Sequence, residues 1–302
     1  MKTWLEYLVF LAFQPVFILL PRSFCRGIGR ALGGIVFRLD ASHRRTALSN
    51  LETAFGGGKT SSELKAIARD SFRRFGETVA DIMKIFHYDK EAAARLVDIE
   101  GWENLTSAVG QGKGVLVFSA HMGNWEMGPL IISKIIKFNV VARRLDNRLI
   151  EKSLARFRRE MGAEVIYKQQ AARKVLQALR NKEAVAILID QNVLRSEAVF
   201  VDFFGRPAGT TPALGAFHLR TGAPLVPSFC LPAAGGRYRM SFKPALEFPA
   251  EGDVSANVLK ITRTCTKMIE SEIREDPASW LWVHDRWRSR PKGEHDHQDE
   301  SS

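Results

Sequence analysis

Val115-Leu-Val-Phe-Ser-Ala-His121-Met-Gly-Asn-Trp-Glu126 carries an apolar, strand-like run straight into a histidine, and a glutamate follows across a Gly-Asn break. Chemistry in open α/β folds gathers at the carboxyl ends of strands, which makes His121 a candidate base and Glu126 its candidate orienting carboxylate. On one regular helix the two would stand roughly 140° apart, because each residue turns about 100°. Gly123 and Asn124 favour turn and left-handed conformations, so the chain can curl there and bring the pair together. The alternative is a histidine that only satisfies local structure at a strand end.

Outward from this run the pattern is α/β. Gly114–Ser119, Asn139–Ala142, Ala163–Tyr167 and Ala184–Ile189 read as strands, and Leu225–Cys230 and Tyr238–Phe242 follow them. Met127–Ile136, Leu149–Met161, Ala171–Asn181 and residues 254–275 read as helices. Strands alternating with helices predict a mixed, largely parallel sheet flanked by helices. Residues 21–110 read mainly as helix. In their pattern from Ser61 to Phe86, Arg73, Arg74, Asp81 and Lys84 are expected on the wet face.

The chain has 302 residues, a net charge of +11 and three scattered cysteines. The length allows one large domain or two smaller ones. The cysteines form neither a metal motif nor a disulfide framework, which points to a reducing compartment. The positive charge favours anionic partners such as lipid headgroups, phosphorylated substrates or an acidic carrier protein. No nucleic-acid motif accompanies it. His121, His218 and His284 lack ligand spacing, so no catalytic metal or other cofactor is expected.

Trp4–Leu20 is apolar apart from Glu6, Gln14 and Pro15, near the lower limit for a spanning helix. Residues 1–20 are therefore expected to anchor the chain to a membrane, spanning it or lying on it. If the segment spans, Arg22, Arg26 and Arg30 keep the remainder in the cytoplasm. Residues 21–290 are expected to form a single domain, with a helical part at 21–110 and an α/β core at 111–290. Residues 291–302 read as a disordered tail.

Four motifs in order, His121-Met-Gly-Asn-Trp-Glu126, Asp190-Gln191, Val199-Phe-Val-Asp-Phe-Phe-Gly-Arg-Pro-Ala-Gly-Thr-Thr211 and Trp280-Leu-Trp-Val-His-Asp-Arg-Trp287, resemble those of the lipid A biosynthesis acyltransferase family. Arg44-Arg45, Asn50-Leu51, Phe55 and the Arg158 to Gly162 step extend the resemblance over nearly the whole chain after the anchor. It implies transfer of a fatty acyl chain from acyl carrier protein, or from coenzyme A, to a hydroxyl of a membrane glycolipid at the inner membrane, with the catalytic part on the cytoplasmic side. The resemblance also fits Arg158 best, and Arg144 second, to the family's arginine.

The residues agree with that chemistry. Acyl transfer from a thioester to an alcohol needs a base and oxyanion stabilisation but no enzyme nucleophile, and the turn after the strand offers backbone N–H groups. Asn124 either holds that turn or contacts substrate. The arginines from Arg143 to Arg159 form a solvated face or bind phosphate. Asp190 binds a sugar hydroxyl, tethers an arginine or caps its loop. Phe200, Phe203 and Phe204 are core or acyl-channel lining, and Trp280, Trp282 and Trp287 are interface aromatics or a packed lid. Asn192, Asp202 and Arg148 depart from the family pattern and leave the acceptor open between a lipid A precursor and another lipid, such as a phosphatidylinositol mannoside or an aminolipid. A non-catalytic scaffold that binds an acidic carrier is the alternative from a different class.

Overall fold

The computed structural model describes residues 4, 7, 11, 14, 15, 17–168, 171–248 and 252–293. In chain order its helices are α1 (Arg22–Leu39), α2 (Ala41–Phe55), α3 (Ser61–Ile85), α4 (Lys90–Ala94), α5 (Trp102–Gly110), α6 (Gly128–Ile132), α7 (Arg148–Glu160), α8 (Ala171–Arg180), α9 (Ala213–Thr221) and α10 (Val254–Glu275). The strands are β1 (Val97–Glu100), β2 (Val115–Ser119), β3 (Phe138–Ala142), β4 (Ala163–Tyr167), β5 (Ala184–Leu188), β6 (Val199–Phe203), β7 (Arg206–Thr210), β8 (Leu225–Pro232) and β9 (Tyr238–Phe242).

Seven strands form one sheet in the order β1-β9-β8-β2-β5-β3-β4, and only the β8–β9 pair is antiparallel. The expected mixed, largely parallel sheet is therefore present. β6 and β7 form a separate antiparallel hairpin. Strand β2 shows why helices must cover both faces. Leu116 and Phe118 enter one apolar cluster, whereas Val115 and Val117 enter the other. A strand buried on both sides reads as a continuous apolar run. Phe37, Leu51, Leu64 and Phe72 from α1–α3 share the cluster of Leu116 and Phe118, so the helical part and the sheet have a common core.

Helices α1 and α3 approach closely. A Cβ on Gly33 would stand 2.2 Å from the Phe72 carbonyl oxygen, so only glycine permits the contact. Arg22–Asp81 at 2.5 Å and Arg30–Asp70 at 2.8 Å join the same helices. This corrects the expected wet face. Asp81 is fully buried and accepts from Arg22 and from the Tyr238 hydroxyl, and Lys84 is buried and donates to the Ile18 carbonyl. A buried carboxylate and ammonium are tolerated because each has its partner.

Met127–Ile136 is also shorter as a helix than expected: a 3-10 turn, Trp125–Met127, leads into the five residues of α6. No helix among the described residues is long and apolar enough to cross a membrane. Much of the 1–20 segment and the tail from residue 294 lie outside the described residues.

Candidate active site

β2 and β5 are parallel neighbours in a register that pairs Ser119 with Leu188. Their carboxyl ends therefore deliver His121 and Asp190 to the same place. The His121 backbone N–H donates to Asp190 Oδ2 at 2.9 Å, and its ring Nδ1 lies 2.9 Å from Asp190 Oδ1. Trp280 Nε1–H donates to Asp190 Oδ2 at 2.8 Å. Burial acts to raise the Asp190 pKa, but the His121 ring and these hydrogen bonds outweigh it and hold the carboxyl at about 2. An ionised Asp190 requires the proton on Nδ1, which leaves the Nε2 lone pair of the neutral ring available. The His121 side chain is 22% exposed and lines a cavity with Ser71, Arg74, Phe75, Thr78 and Trp125.

The carboxylate hydrogen-bonded to His121 is thus Asp190, and the expected partner Glu126 is bonded elsewhere. Gly123, at φ +59°, makes the expected turn, but the 3-10 turn that follows aims Glu126 at α7. There Arg158 grips it with two bonds, Nε–H to Oε2 at 2.9 Å and Nη2–H to Oε1, while the Trp125 indole N–H donates to Oε1 at 3.2 Å. Burial pulls the Arg158 pKa down, and the bond and charge of Glu126, joined by the charges of Glu151 and Tyr167, more than reverse it. With 12% and 7% of their side chains exposed, Arg158 and Glu126 satisfy each other. Trp125 links the two pairs, because its ring also packs edge-on to His121 at 5.1 Å.

The other candidates separate. Asn124 is fully enclosed. It lies near enough to Tyr238 to influence the phenol, yet neither side-chain atom meets hydrogen-bond geometry. That enclosure leaves it no surface for substrate, and its backbone N–H fastens the turn to the Cys230 carbonyl at 2.8 Å. The N–H groups of His121, Met122, Gly123 and Asn124 all have intramolecular acceptors, so these four are not free to hold an oxyanion. Arg144 is exposed and stacks over Tyr167 at 4.4 Å. Phe203 and Phe204 are core, and Trp280, Trp282 and Trp287 are buried rather than interfacial. Sequence reasoning missed the part that Trp280 plays at Asp190.

Two further concavities meet the His121 cavity. An apolar groove of about 470 Å³ runs between α1 and α3, past Leu32, Val36, Phe72, Val79 and Met83. Ser71, Phe75 and Leu281 line both the groove and the His121 cavity. On another side Arg74, Thr78 and Pro232 join the cavity to a polar recess that contains Arg26 and Arg30. Among the described residues no cluster of His, Cys, Asp or Glu can hold a metal ion.

A mixed, largely parallel α/β sheet with a histidine–aspartate pair at its carboxyl edge, beside an apolar groove, defines the class of protein to which this fold and site belong. The family model described as bacterial lipid A biosynthesis acyltransferase matches residues 1–289. The chain belongs to that family, and it is an acyltransferase. It is 26% identical over 282 residues to the lipid A biosynthesis palmitoleoyltransferase of Escherichia coli (strain K12), covering 92% of this chain and 90% of that protein. It is 23% identical over 276 residues to the lipid A biosynthesis lauroyltransferase of the same strain, covering 91% and 88%. It is 27% identical over 224 residues to the phosphatidylinositol mannoside acyltransferase of Mycobacterium tuberculosis (strain CDC 1551 / Oshkosh), covering 72% and 69%.

Proposed function

We propose that the chain transfers a fatty acyl group from a carrier thioester to a hydroxyl of a lipid A precursor, with His121 as general base and Asp190 as the group that orients it. One observation carries this reading: Nδ1 of His121 is engaged by a buried carboxylate, and the ring lines a cavity that adjoins an apolar groove. His121 Nε2 takes the hydroxyl proton as the oxygen attacks the thioester carbon. The tetrahedral intermediate collapses, the C–S bond breaks, and the imidazolium returns the proton to the departing thiolate. The products are an ester and a free thiol. Asp190 stabilises the imidazolium and sets its tautomer, as the buried acid does in a serine-protease triad. The acyl chain lies in the α1–α3 groove, where apolar lining suits it.

The donor in this reading is acyl carrier protein or acyl coenzyme A, both of which are anionic and suit a basic surface. Arg144 is the exposed arginine we assign to phosphate. The reading places the enzyme at the cytoplasmic face of the inner membrane. In this reading the apolar sequence of residues 1–20 serves as the membrane anchor, and the exposed Phe24, Ile35 and Leu39 of α1 face the lipid beside it.

Mass spectrometry of lipid A and total lipids tests the reading in cells that lack the gene and carry either the wild-type gene or His121→Ala. Loss of one secondary acyl chain from lipid A, restored by wild type alone, is expected. A missing acyl group on a different lipid retains the chemistry and replaces the acceptor. Restoration by His121→Ala overturns the base.

A further inference from the structure

The segment from Ser279 to Ser289 runs between the two loops that carry the dyad and is bonded to both. Toward His121, Leu281 N–H donates to the His121 carbonyl at 3.0 Å and Gly123 N–H donates to the Ser279 carbonyl at 3.0 Å. Toward Asp190, the Trp280 indole holds the carboxylate, and Asn192 N–H donates to His284 Nε2 at 2.9 Å. The Asn192 side chain exchanges two bonds with Ser289, at 3.1 and 3.2 Å. From behind, Asn50 Nδ2 donates to the carbonyls of Trp282 and His284 at 2.7 and 2.8 Å.

Among these contacts the bond from Asn192 depends on the protonation state of the His284 imidazole. The Asn192 amide is a donor only, so His284 Nε2 must offer a lone pair, and an imidazolium has none. Asn192 is two residues beyond Asp190, so this bond helps set where the carboxylate stands. We propose that His284 is a positioning residue for the His121–Asp190 dyad: its neutral imidazole holds the segment that carries Asp190, and protonation releases it. The proposal rests on His121 acting as the base.

The charged and titratable groups that act on His284 come from three elements. Asp285 and Arg286 lie on its own segment, Asp190 on the loop after β5, and His121 on the loop after β2. Burial, Arg286 and His121 oppose protonation, whereas Asp190 and Asp285 favour it. Burial is the largest influence and the His284 pKa falls below its usual value. The imidazole therefore stays neutral at neutral pH, and the bond is lost only on the acid side.

The test is the pH profile of kcat/KM for wild type, His284→Gln and His284→Leu, with acyl carrier protein thioester and a lipid A precursor as substrates. Folding is followed at each pH by circular dichroism. A Gln amide oxygen accepts the Asn192 N–H and does not titrate. His284→Gln is expected to keep most of its activity at neutral pH and to lose less of it on the acid side than wild type does, because the amide holds the Asn192 N–H without titrating. His284→Leu leaves the half-buried Asn192 N–H unmet and is expected to lower kcat by about 5- to 100-fold at every pH with KM little changed. If the Leu variant does not fold, the Gln profile decides alone. An acid-side loss in His284→Gln as large as that of wild type, or full kcat in a folded His284→Leu, overturns the proposal. Activity retained by His121→Ala would instead overturn the base assignment beneath it.

Discussion

Replacing Asp190 by Asn removes one charge and almost no volume, yet it changes which nitrogen of His121 carries the proton. Asp190 Oδ2 accepts two N–H groups, from Trp280 and the His121 backbone, and Oδ1 faces His121 Nδ1. An Asn here keeps its oxygen toward the two fixed donors, which turns its NH2 toward Nδ1. The ring must then shift its proton to Nε2, the nitrogen that has to accept from the substrate hydroxyl. The same tautomer error in a serine protease costs about 10⁴-fold in kcat, so a loss near 10⁴, or about 5 kcal/mol of barrier, is expected. Steady-state transfer from acyl carrier protein thioester measures it, with KM unchanged because Asp190 is buried away from substrate. A fall of less than about tenfold, or one confined to KM, would refute the tautomer account. Linkage supplies a second readout. A carboxyl lowered from 3.8 to about 2 contributes about 2–3 kcal/mol of stability that is full above pH 4 and is lost as pH falls toward 2. Acid titration of Asp190→Asn should lack that share of the loss.

Other perturbations bear on neighbouring parts of the site. Arg158→Ala leaves Glu126 buried without its cation and should cost about 3–5 kcal/mol in urea denaturation, whereas the double change Glu126→Leu, Arg158→Met should recover most of it. Recovery of activity together with stability would mean the pair serves the fold rather than the reaction. Gly123→Ala places a Cβ 2.1 Å from the Cys230 carbonyl oxygen at a backbone φ of +59°, and should lower the melting temperature by an amount equivalent to at least about 1–3 kcal/mol. An unchanged melting temperature would show that the turn relaxes freely. Val79→Trp fills the α1–α3 groove and should shift mixed-donor products toward shorter chains, since each methylene is worth about 1–3 kcal/mol in discrimination. An unaltered chain distribution by mass spectrometry would place the acyl chain elsewhere.

Six of the seven strands of the main sheet were legible as apolar or alternating runs, because strands covered on both faces carry a dense local signal. β1 was not, since three of its four residues are exposed and its pairing with β9 lies far along the chain. The β6–β7 hairpin carries a family motif but does not read as two strands. Pro207 and Gly209 depress the strand propensity of β7, and the pairing is made by context rather than by composition. The Asp81 and Lys84 misplacement has a similar cause: helical periodicity assigns charged residues to water and does not register that Arg22, Tyr238 and a carbonyl wait on the inner side.

At the site, sequence alone determined that His121 stands at the end of a buried strand, that Asp190 stands at the end of another, and that the chain resembles an acyltransferase family. These are properties of short runs and ordered motifs. Which carboxylate serves the histidine was decided only by tertiary structure. Glu126 is five residues away and turns aside to Arg158, while Asp190 is 69 residues away and arrives because β5 lies against β2 after β3 and β4 have passed to its far side. Proximity along a chain constrains direction only as far as the local backbone allows. Strand register places side chains to within hydrogen-bond reach regardless of how much sequence lies between them.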